Sequence, residues 1–218
     1  MEDKIETPVE EQAPIMILTI NSMNGKISHI VGHLTITPDQ YKDLWNLHPA
    51  EQGKILMYGK PRTTPRWELA FGKPHIFGKN IIPSVPIPEG PLSQLLAWIN
   101  TRENLGKSET DPKIIFNQII VNWYENGKHY IGPHSFVQDQ YNKKCNVYLI
   151  LYGASRKLII LNKQTKKTET ITMNSADLVM MTAGFQEEYK HGIEADDSIT
   201  ESSILITILS LSESPISE

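Results

Sequence analysis

The sequence is short of several things at once. One cysteine, Cys145, stands among 218 residues. A single thiol closes no internal disulfide and supplies no cluster for zinc, so the expectation is an intracellular, reducing setting and a fold held by its own core. No apolar run approaches the roughly 20 residues of a membrane-spanning helix. The acids Glu2, Asp3, Glu6, Glu10 and Glu11 read against a secretory leader, and together these point to a soluble protein with no membrane partner. No repeat of solenoid type is visible. The net charge of −4 gives no global attraction to a polyanion. Lysine and arginine are wholly absent from His191 to the end of the sequence.

What is present suits one domain with a full-sized core. Hydrophobic residues make up 39% and charged residues 21%, the balance of an ordinary globular protein. Residues 1–13 are acidic and residues 212–218 polar, so both are expected to be disordered tails around a single domain at 14–211. Thr37 and Pro38 open a predicted helix over 37–48, with Tyr41, Leu44, Trp45 and His48 at helical spacing. A second helix is expected over 91–102, with Leu92, Leu95, Leu96 and Ile99 on one face. Apolar, β-branched segments at 114–124, 147–152, 157–161, 168–173, 178–182 and 203–211 read as strands, with a hairpin turn at 162–167. Helices first and strands after imply an α+β domain built on a sandwich or open barrel.

The most informative segment runs from Asn122 to Phe136: Asn-Trp-Tyr-Glu-Asn-Gly-Lys-His-Tyr-Ile-Gly-Pro-His-Ser-Phe. It resembles the signature of the AlkB branch of the Fe(II)/2-oxoglutarate dioxygenases, an Asn-x-Tyr followed by Ile-Gly-x-His-x-Asp. Tyr58 to Gly72 resembles the family's Pro-Arg…Tyr-Gly substrate loop. Leu178–Met181 resembles the strand before its second metal histidine, His191-Gly-Ile193 its His-x-Ile segment, and Ser203–Leu209 its last strand. The resemblance covers about Ile55 to Leu209. It implies a double-stranded β-helix (jelly-roll) core with N-terminal helices packed on one sheet, Fe(II) and 2-oxoglutarate as cofactors, and oxidative dealkylation of nucleic-acid bases.

The same resemblance implies the roles. His134 and His191 take the two metal-histidine positions, and Asn122, Tyr124 and Thr207 take positions that hydrogen-bond the cosubstrate. Three positions depart from the pattern. Phe136 stands where the family has its carboxylate ligand, and two histidines with a carboxylate are what such an iron site requires. Ser203 and Leu209 stand where it has arginines, and bidentate Arg–carboxylate pairing is strong and specific. The departures imply a pseudoenzyme, and binding of either cofactor is in doubt. Asp139 is the one nearby candidate for a replacement ligand.

Charge is concentrated in one place. Lys54, Lys60, Arg62, Arg66, Lys73 and Lys79 face a single acid, Glu68, over residues 54–79, with Trp67, Phe71, His75 and Phe77 among them. In the family this stretch is a nucleotide-recognition lid, and the resemblance makes Arg62, Arg66 and Phe77 the substrate-binding candidates. A solvated edge hairpin guarded by lysines is the other reading. A second basic run, Arg156, Lys157, Lys163, Lys166 and Lys167, lacks aromatic residues. The sequence thus leaves a silent nucleic-acid-binding module, an active dioxygenase with an unusual metal site, and a protein-interaction part of the same fold.

Overall fold

The computed structural model describes residues 15–211, apart from residues 22, 24, 33, 58, 74, 78, 79, 83, 137–141 and 143. The expected tails at 1–13 and 212–218 lie outside the described residues. Strands β1 (Ile15–Asn21) and β2 (Lys26–Val31) precede helix α1 (Pro38–Trp45). Short strands follow: β3 (Lys54–Met57), β4 (Lys60–Thr63), β5 (Trp67–Gly72), β6 (His75–Phe77), β7 (Asn80–Ile82) and β8 (Ser84–Val85). Then come α2 (Pro91–Glu103), β9 (Gln118–Tyr124), β10 (Ile131–His134), β11 (Val147–Gly153), β12 (Arg156–Asn162), β13 (Thr168–Met173) and β14 (Leu178–Met181). The one-turn α3 (Phe185–Glu188), β15 (Tyr189–Ile193) and β16 (Ser203–Leu209) complete the order.

Local chemistry explains the helix positions. The Thr37 hydroxyl accepts the Gln40 N–H at 3.2 Å, and the Gln40 side chain accepts the Thr37 N–H at 2.9 Å. This reciprocal pair starts α1, with Pro38 in the first turn where its missing N–H costs nothing. The indole of Trp123 donates to the Leu44 carbonyl at 2.8 Å and ties the end of α1 to β9. On α2, Asn100 and Asn104 accept the backbone N–H groups of Phe116 and Ile114. Those two bonds explain why β9 begins at Gln118 rather than near Ile114: the residues before it are held by the helix, not by a neighbouring strand.

An eight-stranded sheet, ordered β1-β2-β14-β11-β16-β9-β5-β8, faces a four-stranded sheet ordered β10-β15-β12-β13. Every neighbouring pair in both is antiparallel except β5–β8. The two remaining hairpins, β3–β4 and β6–β7, pair only with themselves among the described residues. The architecture is the double-stranded β-helix implied by the motif order, with α1 and α2 against one sheet.

Strand alternation divides the core in two. On β16, Leu205 and Leu209 face the space between the sheets, where they pack with Ile120, Leu149, Leu158, Ile160 and Ile193. Ile204, Ile206 and Ile208 point the other way and pack with Leu44, Leu92, Leu95 and Ile99 of the helices. Each such side chain, fully buried, contributes roughly 1.5–3 kcal/mol. The same parity sends Ser203 and Thr207 inward, opposite Tyr124 and Ile120 of β9. Every candidate on β9 and β16 therefore lines the inner face.

Candidate metal and cosubstrate site

His134 and His191 are direct cross-strand partners on β10 and β15, with ring centres 4.6 Å apart and planes at 47°. Gly192 permits the approach of the two strands, since a Cβ there would lie 2.5 Å from the Ile131 carbonyl oxygen. The His134 Nδ1 lies 3.0 Å from the Gly132 carbonyl; donating there leaves the neutral ring's lone pair on Nε2. His191 is buried, and its Nδ1 has no hydrogen-bond partner. Burial, and then the neighbouring His134, hold the His191 pKa well below the ordinary imidazole value, so the ring stays neutral, the form that can ligate.

The ring spacing tests whether the pair could share a metal. A metal about 2.1 Å from each nitrogen puts each ring centre about 3.2 Å away, so rings at right angles stand about 4.6 Å apart and opposed rings about 6.4 Å. The observed 4.6 Å spacing is compatible with the first arrangement. The third corner does not fit. The Phe136 ring centre lies 5.8 Å from that of His134 and 5.6 Å from that of His191, and a hydrocarbon ring offers no lone pair. The Phe136 N–H donates to the Gln186 side chain at 3.0 Å, which fixes this residue against α3. Among the described residues no group of three or more His, Cys, Asp or Glu side chains is placed to hold a metal. Asp139 lies outside the described residues.

The cosubstrate positions are brought together but altered. Asn122, Tyr124 and Thr207 are all buried on the inner face. Burial pushes the Tyr124 hydroxyl well above its ordinary pKa, and neither it nor the buried Ser203 hydroxyl across the strand pair has a hydrogen-bond partner among the described residues. Leu209 belongs to the apolar core between the sheets. Asn122 is engaged: its Oδ1 accepts from Arg66 Nε at 2.7 Å. Arg66 in turn pairs with Glu68 at 2.7 Å, because the β5–β9 register sets Glu68 opposite Asn122.

Arg66 thus corrects the expectation that grouped it with Arg62. It is 7% exposed, and a carboxylate and an amide take its guanidinium. Arg62 is exposed on β4. Phe77 lies on β6 by its backbone, and its side chain lies outside the described part.

Sequence reading also missed the placement of Arg156, which it grouped with Lys157, Lys163, Lys166 and Lys167 in a second basic run. It is 1% exposed, with its guanidinium 4.9 Å from the Tyr124 ring centre. Its fork donates to the carbonyls of Asn126, His129 and Glu194, clasping the loop before β10 to the end of β15. Its terminal nitrogens are taken by those carbonyls, and its Nε has no partner among the described residues. The signal was available: residues 156, 158 and 160 share one face, and Leu158 and Ile160 point inward.

The sequence profile of the 2OG-Fe(II) oxygenase superfamily matches residues 66–212, two thirds of the chain. The chain belongs to that superfamily. No curated protein matches it in sequence. Among solved structures, one titled "The structure of OsALKBH1" is similar over 88% of this chain and 100% of its own, with a TM-score of 0.57 and 13% identity; that likeness establishes the AlkB-like fold. The superfamily's Fe(II) and 2-oxoglutarate meet a donor set here that does not fit them. In this oxygenase-fold chain the His134 and His191 rings are neighbours, the Phe136 ring lies beside both, and β16 carries no cation. No helix among the described residues is long and apolar enough to cross a membrane.

Proposed function

We propose that this chain is a catalytically silent AlkB-like protein that binds nucleic acid through the basic segment 54–79. The observation that carries the first half is the Phe136 ring standing against both histidine rings. Ser203 and Leu209 on β16 add to it, since a dicarboxylate brought between the sheets would meet no cation on that strand, and the nearby guanidiniums of Arg66 and Arg156 already hold Glu68, Asn122 and backbone carbonyls. A buried, unpaired carboxylate is strongly disfavoured.

The second half rests on charge and placement. Segment 54–79 carries six basic residues against one acid, and the single acid is spent on Arg66. Lys54, Lys60 and Arg62 are left exposed on the β3–β4 hairpin. The register pairs Lys60 with Met57 and Arg62 with Ile55, so Lys60 and Arg62 project from one face of the hairpin. Such a patch can neutralise phosphates despite the acidic whole, with an affinity that falls as salt rises.

The test is titration of a labelled single-stranded oligonucleotide at two salt concentrations, with wild type and with Lys60→Ala plus Arg62→Ala. Wild type should bind at low salt, and the double variant should bind more weakly, with a salt slope shallower by about 0.7 for each phosphate that is no longer neutralised. Absence of wild-type binding, or an unchanged slope, would leave the hairpin a solvated edge and the fold a protein-interaction part.

A further inference from the structure

A row of aromatic rings borders the foot of the basic hairpin. His48, just beyond α1, and Trp67 on β5 have ring centres 4.7 Å apart, with planes at 31°. Trp67 and His129, in the loop before β10, have theirs 5.3 Å apart. All three are half-buried. The next residue, Tyr130, is 43% exposed, the one exposed Tyr, Trp or Phe among the described residues. Hydrogen bonds tie this row to the hairpin. Gln52 Nε2 lies 3.2 Å from His129 Nε2. The Thr64 N–H donates to the Gly53 carbonyl at 2.8 Å, and the Tyr130 N–H donates to the Pro65 carbonyl at 3.0 Å. Residues 52 and 53 lead into β3 and residues 64 and 65 leave β4, so the rings stand where the strands carrying Lys54, Lys60 and Arg62 begin and end.

Phosphates and bases make separate demands on a protein. Cations meet the backbone whatever its sequence. A base offers a flat π-face that an aromatic side chain can cover, but only where the base is not already stacked and paired inside a duplex. We infer that the row of Trp67, His129 and Tyr130 is a stacking platform for the unpaired bases of a single-stranded nucleic acid whose phosphates lie along the β3–β4 hairpin. This rests on the nucleic-acid reading above and narrows it to single strands.

Burial and charge separate these rings from the core and from the cations. Trp123, whose ring centre is 6.3 Å from that of His48, is fully buried with its indole bonded inside the fold, so it serves packing alone. Trp67 and His129 keep part of their surface in water, and Tyr130 keeps more. Burial lowers the His129 pKa, so at neutral pH that ring is an uncharged surface rather than a phosphate ligand. Glu125 also acts on His129, and its charge disfavours a phosphate over this loop while leaving a neutral base unopposed. The division of labour follows: the hairpin takes phosphates and the row takes bases, as in grooves that hold single strands without reading sequence.

The experiment is titration of the full chain, at two salt concentrations, with a labelled deoxythymidine strand of about twelve nucleotides and with an abasic strand carrying the same number of phosphates. A third probe is the thymidine strand annealed to deoxyadenosine. Wild type should bind the thymidine strand roughly tenfold more tightly than the abasic strand, and more tightly than the duplex. Tyr130→Ala, at an exposed position, should shrink the preference for bases about fivefold and leave the abasic strand's affinity and salt slope unchanged. Trp67→Leu, checked for folding by urea denaturation, should do the same; if it does not fold, Tyr130→Ala decides alone. Lys60→Ala plus Arg62→Ala should weaken both single strands and keep the preference. Equal binding of the thymidine and abasic strands by wild type, tighter binding of the duplex, or a preference that survives Tyr130→Ala would overturn the platform and leave the nucleic-acid reading standing. Failure of wild type to bind any of the three at low salt would overturn both.

Discussion

Arg62 and Arg66 stand four residues apart, and the structure gives them opposite surroundings, one exposed and one buried. Arg66→Ala would leave Glu68 and Asn122 without their cation in a half-dry site, and breaking such a buried pair destabilises by about 3 kcal/mol. Arg62→Ala touches an exposed strand, so its effect on stability should stay within about 0.5 kcal/mol, while oligonucleotide binding weakens. Urea denaturation of the two variants separates the roles, and equal stabilities would contradict the assignment. His129 gives a second prediction. Its Nδ1 accepts the Glu125 N–H, which requires that nitrogen to be unprotonated. Burial lowers its pKa below the ordinary value of 6.5, so the folded state favours the neutral ring. Its contribution to stability is therefore full above pH 6.5 and declines as pH falls through the lower folded value. Thermal unfolding of wild type should weaken from pH 7 to pH 5, and His129→Gln should show a shallower decline. An unchanged pH profile in that variant would count against a neutral His129.

At the scale of elements, long apolar segments were legible and short ones were not. Both main helices were visible because Thr37, Pro38 and the leucines of α2 carry caps and spacing in the local sequence. Strands β11 through β14 and β16 were visible as apolar runs between turns. Strands β10 and β15 were not, since Ile131-Gly-Pro-His134 and Tyr189-Lys-His-Gly-Ile193 show no clean alternation; the motif resemblance placed their histidines. The short strands between β3 and β7 were not resolved one by one within the segment read as a lid or an edge hairpin; β5 in particular takes its place from register against distant β9. That same long-range register hid the Arg66–Glu68–Asn122 cluster. A prediction belongs to this scale: Trp123→Phe removes the bond from β9 to the Leu44 carbonyl at the end of α1. It should lower stability by about 1 kcal/mol and leave oligonucleotide binding intact; loss of binding would show that α1 and the basic hairpin are coupled.

For the whole molecule, the proposed silence separates what the fold needs from what the superfamily's chemistry needs. The sandwich needs only inward apolar residues at 205, 209, 149 and 160, whereas the superfamily's chemistry needs a carboxylate at position 136 and cations on the last strand. Phe136→Asp alone restores one of these. It should strengthen divalent-metal binding and still give no succinate, because Ser203 and Leu209 remain; succinate release by that variant would show that the β16 cations are dispensable. The central claim is that the wild-type chain does not perform the superfamily's reaction. The most direct measurement is anaerobic titration with Fe(II) and 2-oxoglutarate, followed by oxygen, a methylated oligonucleotide and quantitation of succinate. The expected result is no saturable response to 2-oxoglutarate in the presence of iron and no succinate above the iron-only control. Succinate formed in proportion to enzyme, and dependent on both iron and the methylated strand, would contradict it.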